Sequence, residues 1–129
     1  MKPQFRSGTQ KAIEELATEL GLPKGSYLQN WSYVVGEPED IEKYIAHYRS
    51  TSDEDKKFVL MEIIVQAIDD QSEKDLFIKY WNEVKPILKE DFKIHEHTIH
   101  YWACFDAGSL YEEFEVTPNM RELWNEVND

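Results

Sequence analysis

Apolar residues recur along this chain at three- and four-residue intervals, the spacing that lines one face of an α-helix. Ile13, Leu16, Ala17 and Leu20 share such a face and predict a first helix from about Thr9 to Leu20, closed by Gly21 and Pro23. The stripe Ile41, Tyr44, Ile45 and Tyr48 predicts a second. Pro38 suits its first position, and acids fill its first turn, where the helix dipole favours them. Ser52 and Asp55 resemble a capping box and open a third helix. Between Phe58 and Ile68 that helix has only Glu62 and Gln66 as polar residues, and a helix apolar nearly all round belongs at the centre of its fold.

Ser72 and Asp75 repeat the capping pattern before a fourth stripe, Leu76, Phe77, Tyr80, Trp81 and Val84, which Pro86 should kink or end. A fifth helix covers the histidines near residue 97. Thr117 and Pro118 read as an N-cap followed by proline at the first helical position of a last helix carrying Met120, Leu123, Trp124 and Val127. The expected fold is all-α: about six helices in a bundle or orthogonal array around a buried central helix at about 53–71, within one domain spanning 1–129. Short extended segments are possible near 27–35 and 112–116. In the first of these, an ordered loop packing Trp31 and Tyr33 onto helices is preferred to a strand.

Glu62 and Gln66 lie four residues apart on one narrow face. They predict a solvent-facing stripe continued by Asp55, Asp69 and Asp70, because unpaired buried carboxylates are rare. The alternative is a polar pocket in which a carboxylate titrates above its ordinary range.

Charge narrows the functional classes. The chain carries 26 acidic side chains against 14 Lys and Arg, a net −12. From Asp106 onward Arg121 is the only cation among seven acids. Direct nucleic-acid binding needs cations to neutralise phosphate, and anionic membrane needs them too, so both are disfavoured. A basic protein is the electrostatic complement. The acidic and aromatic run Tyr111-Glu112-Glu113-Phe114-Glu115, with Asp106, Asp69 and Asp70, supplies candidate partner-binding residues. Aromatic anchors would give desolvated contact and the acids would steer encounter. Equally, Tyr111 and Phe114 could simply pin a loop to the core.

One cysteine, Cys104, excludes an internal disulfide framework and fits a reducing compartment. The first residues show no secretory-type apolar region, and no apolar run is long enough to span a bilayer, so a cytoplasmic protein is expected.

Three of the four histidines fall within His95-Glu96-His97-Thr98-Ile99-His100, one residue too long for the zinc-peptidase spacing. At a helix's roughly 100° per residue, His95 sits inside the apolar arc of Ile94, Thr98, Ile99, Tyr101, Trp102 and Phe105, as a core histidine. Glu96, His100 and Cys104 follow one another a turn apart, with His97 beside them. Carboxylate, imidazole and thiol in a row suit zinc, or a Cys–His nucleophile pair. The plainer reading is a helix that happens to carry imidazoles, and no cofactor is expected.

No phosphate-cradling glycine loop, nucleophile elbow or Ser-x-x-Lys pair is present. The leading expectation is therefore a non-enzymatic acidic module that binds a basic protein partner. In general character it resembles bacterial inhibitors of the immunity-protein kind, which would imply neutralisation of a nuclease toxin by covering its cationic active site. No motif carries that likeness. Two alternatives stand beside it. One is a small metal-binding or Cys/His-dependent enzyme using Glu96, His97, His100 and Cys104. The other is a homo-oligomeric structural module burying surplus aromatics such as Trp31 and Trp124 between subunits.

Overall fold

A computed structural model describes residues 2–23, 31–105 and 114–128. The fold is all-helical. Among the described residues there are seven α-helices and one 3-10 turn, and no strand: α1 (Gln10–Leu20), α2 (Trp31–Val34), the turn Pro38–Asp40, α3 (Ile41–Ser50), α4 (Glu54–Asp69), α5 (Lys74–Glu90), α6 (Phe92–Ala103) and α7 (Thr117–Asn128). No helix among them is long and apolar enough to cross a membrane. The chain divides into two compact units, Arg6–Gln71 and Ser72–Asp129, the latter joined by Met1–Phe5.

In the first unit α4 is the hub, packed against α1, α2, the 3-10 turn and α3. Its residues from Phe58 to Val65, with Ala67 and Ile68, are all buried, which places the predicted central helix at the heart of this unit. The expected starts and stops hold for α1. The Thr9 hydroxyl accepts from the Ala12 N–H, and Gly21 takes the left-handed conformation (φ 67°) that lets the next N–H, of Leu22, fold back to the Ala17 carbonyl at 2.9 Å. The cap of α4 falls one residue later than predicted. Asp53, not Ser52, accepts from the Lys56 N–H.

The segment expected as loop or strand around Trp31 contains one helical turn. Trp31, Ser32 and Val35 are its buried residues, at i, i+1 and i+4, a helical spacing hidden by the run of aromatics. The Trp31 indole N–H donates to the Pro23 carbonyl at 2.7 Å. After α2 the chain crosses α4 closely: a β-carbon on Gly36 would lie 2.8 Å from Ile63 Cγ2.

In the second unit α5, α6 and α7 pack on one another. One expectation fails here, and of the two outcomes expected at Pro86, a kink or an end, the second is excluded. Neither Ser72 nor Glu73 caps α5, whose N-cap, Glu73, makes no side-chain cap hydrogen bond. Nor does Pro86 end the helix, which continues to Glu90. Pro86 and Asn82 are both exposed, so the carbonyl that loses its helical donor lies on the side water can reach. The face carrying Tyr80, Trp81, Val84 and Leu88 stays buried on either side of it. Lys85 and Lys89 of α5 reach Glu126 of α7 at 3.2 and 3.5 Å.

Candidate functional site

The histidine helix α6 buries Phe92, His95, Thr98, Ile99, Trp102 and Ala103. His95 is thus in the core, where its position in the apolar arc puts it. The four residues considered for metal or nucleophilic chemistry have separate neighbours. Glu96 lies 3.7 Å from Lys93. His97 meets the Phe5 ring edge-on at 4.9 Å. Burial holds its imidazole below the usual range, helped by the nearby His100 and Lys2 charges. His100 packs between Trp124 and Phe105, with ring centroids at 5.1 and 5.5 Å. Cys104 closes the helix. Among the described residues no three His, Cys, Asp or Glu side chains gather as a metal would require.

Cys104 is the one non-glycine residue described with a positive φ (51°, ψ 45°), at a C-cap where glycine is the usual occupant. Its thiol contacts the Tyr101 carbonyl and the Thr117 hydroxyl, both at 3.6 Å. Left-handed backbone costs an ordinary residue about 1 kcal/mol or more. Cys104→Gly is therefore expected to raise stability by about 0.5–1 kcal/mol, measured by urea unfolding. A loss instead would mean that the thiol contacts outweigh the strain.

The last carbonyls of α6 are held by α7. The buried Thr117 hydroxyl donates to the Trp102 carbonyl at 2.7 Å and accepts from the Phe114 N–H at 3.0 Å. Arg121 donates from Nε to the Ala103 carbonyl (2.6 Å) and from Nη2 to the Cys104 carbonyl (2.7 Å). Thr117 was expected to cap its own helix. It works across to the end of another, and Arg121 was not singled out for any role. Its position as the lone cation in the acidic tail was the signal available.

Of the candidate partner-binding residues, Asp106, Tyr111, Glu112 and Glu113 lie outside the described residues. Phe114 and Glu115 are exposed at the entry to α7. The Phe114 ring packs on Trp102 at 4.5 Å and lies 6.2 Å from Tyr101, so it is partly pinned and partly presented. Tyr101, Phe105 and Phe114 remain 48%, 41% and 36% exposed around the end of α6.

Asp69 and Asp70 belong to the other unit, at the C-terminal end of α4. Gln71 ties that end to the 3-10 turn by donating to the Ala67 and Pro38 carbonyls at 3.1 and 2.9 Å. Glu37, Glu39 and Asp40 therefore stand at the same end as Asp69 and Asp70. Acids at a helix C-terminus oppose its dipole, so this concentration is unfavourable for α4 itself.

The expected stripe along α4 is corrected at Glu62. Its residue is 9% exposed, and its carboxylate accepts from Ser32 Oγ and Tyr33 Oη, each at 2.9 Å. Burial pushes the Glu62 carboxyl above the usual range, against the pull of the two hydroxyls. Gln66 stays nearer the surface and donates to the Asp70 carboxylate at 3.1 Å. Neither indole named for subunit contact is free for it, since Trp31 and Trp124 are both buried.

A charged cluster that sequence reading missed joins α1, α3 and α4. Glu19 takes Lys56 at 2.6 Å and His47 at 2.7 Å, and Lys56 also reaches Glu15 at 3.4 Å. The hydrogen bond from Lys56, then that from His47, holds the Glu19 carboxyl below its usual range. These groups are partly exposed, so screening keeps their effect on stability small. Against this geometry, comparison with protein-family models, with curated proteins and with solved structures returns no match.

Proposed function

We propose that the protein is a non-enzymatic, acidic binding module whose partner is a basic protein, with inhibition of a cationic enzyme such as a nuclease toxin as its specific role. The observation that carries this reading is the group of exposed rings at the end of α6, Tyr101, Phe105 and Phe114, beside the exposed Glu115. Large exposed aromatics suit the centre of a protein interface, where they supply desolvated area at small entropic cost. The charge supplies the rest. Each unit holds seven Lys and Arg against thirteen Asp and Glu, so both are net −6.

Capture of the partner from cell lysate, with elution by a salt gradient, identifies it. Association kinetics then test the mechanism. Raising salt from about 0.01 to 0.15 M contracts the Debye length from about 30 to 8 Å, and the association rate constant should fall by about tenfold or more while dissociation changes less. The double variant Tyr101→Ala/Phe114→Ala should weaken binding by about 1–3 kcal/mol, chiefly through faster dissociation. Salt-independent association would overturn the electrostatic reading, and an unchanged affinity in the double variant would remove the aromatic anchor.

A further inference from the structure

We infer that the anchor this protein takes from its basic partner is an arginine side chain, its guanidinium laid on the outward ring faces of Tyr101 and Phe114 and its charge answered by Glu115. The inference rests on the reading of these rings as the partner-binding surface and names what they hold. Tyr101 and Phe114 remain 48% and 36% exposed, and Glu115, the residue after Phe114, is exposed as well. Both rings rest against Trp102, at 5.8 Å from Tyr101 and 4.5 Å from Phe114. That indole is buried, so the rings stand on the core and need little ordering when a ligand arrives.

Distance decides which ring faces a cation can use. The Tyr101 and Phe114 centroids are 6.2 Å apart, with the planes inclined by 30°. A flat group slotted between two rings needs about 7–8 Å, twice a contact distance of about 3.5–4.0 Å. A guanidinium does not fit that gap, so it meets the rings from the solvent side. Phe105, the third exposed ring, carries the chain's own Arg121 guanidinium at 5.9 Å.

Charge calls for a cation, since the second unit is net −6 and aromatic faces attract positive charge. Lysines also approach rings in this chain, Lys57 over Tyr48 at 5.4 Å and Lys79 over Tyr80 at 5.1 Å. Attraction to the ring face therefore does not by itself separate the two cations. Hydration and shape do. An ammonium is compact and strongly hydrated, and rings still open to water return little for the loss of that shell. A guanidinium is planar and weakly hydrated. It stacks on a ring while its edge keeps N–H donors for a carboxylate. Arg6 already sits in this way, 5.0 Å over the Phe58 ring with its terminal nitrogens on Glu54 and Asp55 at 3.1 Å each. Phe114 with Glu115 offers the same two kinds of group.

Two capped tripeptides of equal charge, Gly-Arg-Gly and Gly-Lys-Gly, test this on the full chain at low salt. Aromatic proton NMR follows the rings of Tyr101, Phe105 and Phe114 as each peptide is added. The arginine peptide should move the Tyr101 and Phe114 signals with a dissociation constant of about millimolar order. It should bind about two- to fivefold tighter than the lysine peptide. The double variant Tyr101→Leu/Phe114→Leu keeps apolar bulk without the ring faces, so the preference for arginine should vanish. Glu115→Gln should weaken the arginine peptide by about twofold or more. Equal affinity for the two peptides, or a preference for lysine, would overturn the guanidinium anchor and leave the basic-partner reading standing, which the salt dependence of association tests separately. Ring signals that stay still with both peptides at about 10 mM would overturn it too, as would an arginine preference that persists in the double variant. The wild-type comparison of the two peptides decides the matter even where a variant fails to fold.

Discussion

Trp31→Ala is expected to cost the first unit about 3–5 kcal/mol, the range for removing a fully packed large aromatic. Trp31 is 2% exposed and among the largest side chains so completely buried. Among the described residues, α2 is only one turn long and α4 is buried nearly all round, so a small rotation there does not refill an indole-sized space. The lost hydrogen bond adds little, because Pro23 is exposed and its carbonyl can turn to water. Single domains are typically stable by only about 5–15 kcal/mol, so the variant should lose a large share of its stability. Trp31→Phe retains most of the apolar contact and should lose about 1–2 kcal/mol. Denaturant unfolding at two protein concentrations measures both. Loss that deepens on dilution would place Trp31 at a subunit contact, contrary to its burial here.

The second large effect is expected at the joint of α6 and α7. Thr117→Val preserves shape while removing a hydroxyl that serves the Trp102 carbonyl and the Phe114 N–H together. Leaving a buried backbone group unsatisfied costs about 1–3 kcal/mol, and the total should stay near that range, because only the Trp102 carbonyl is buried and Phe114, at the other bond, is exposed. Arg121→Ala removes two charge-assisted bonds to the next two carbonyls and should cost about 1.5–3 kcal/mol. A lysine there cannot present the guanidinium's two parallel donors and should recover less than half. The two sites share one helix end, so their effects should not add, and a double-mutant cycle ought to show coupling above about 0.5 kcal/mol. A change within about 0.5 kcal/mol for Arg121→Ala would mean that water serves those carbonyls equally well.

The helices were legible where chemistry lay close along the chain. Thr9 and Gly21 bracket α1 through bonds spanning three or four residues, and the apolar run of α4 announces burial without reference to any partner. What failed was long-range. Glu62 looked like a surface residue because its two donors stand 29 and 30 residues away, on a turn whose helical period was masked by aromatics. Arg121 had nothing adjacent to explain it, since the carbonyls it serves lie 17 and 18 residues upstream. Pro86 does not end its helix, for another reason. A rule about helix interiors presumes that the orphaned carbonyl is shut away from water, and here it faces outward. In the histidine run, the place of His95 inside the apolar arc is enough to put that imidazole in the core. Pattern alone did not reveal that His97 and His100 would be occupied by the rings of Phe5, Phe105 and Trp124.

The solitary thiol at the end of α6 has a practical consequence. Cys104 is partly accessible and sits among Tyr101, Phe105 and Thr117, and the chain offers a maleimide no second point of attachment. A fluorophore coupled there would sit at the rim of the exposed rings without any engineering of the sequence. Its emission would shift when another molecule covers those rings and stay constant when contact is made elsewhere, so the chain carries its own labelling site for mapping where a bound molecule lands.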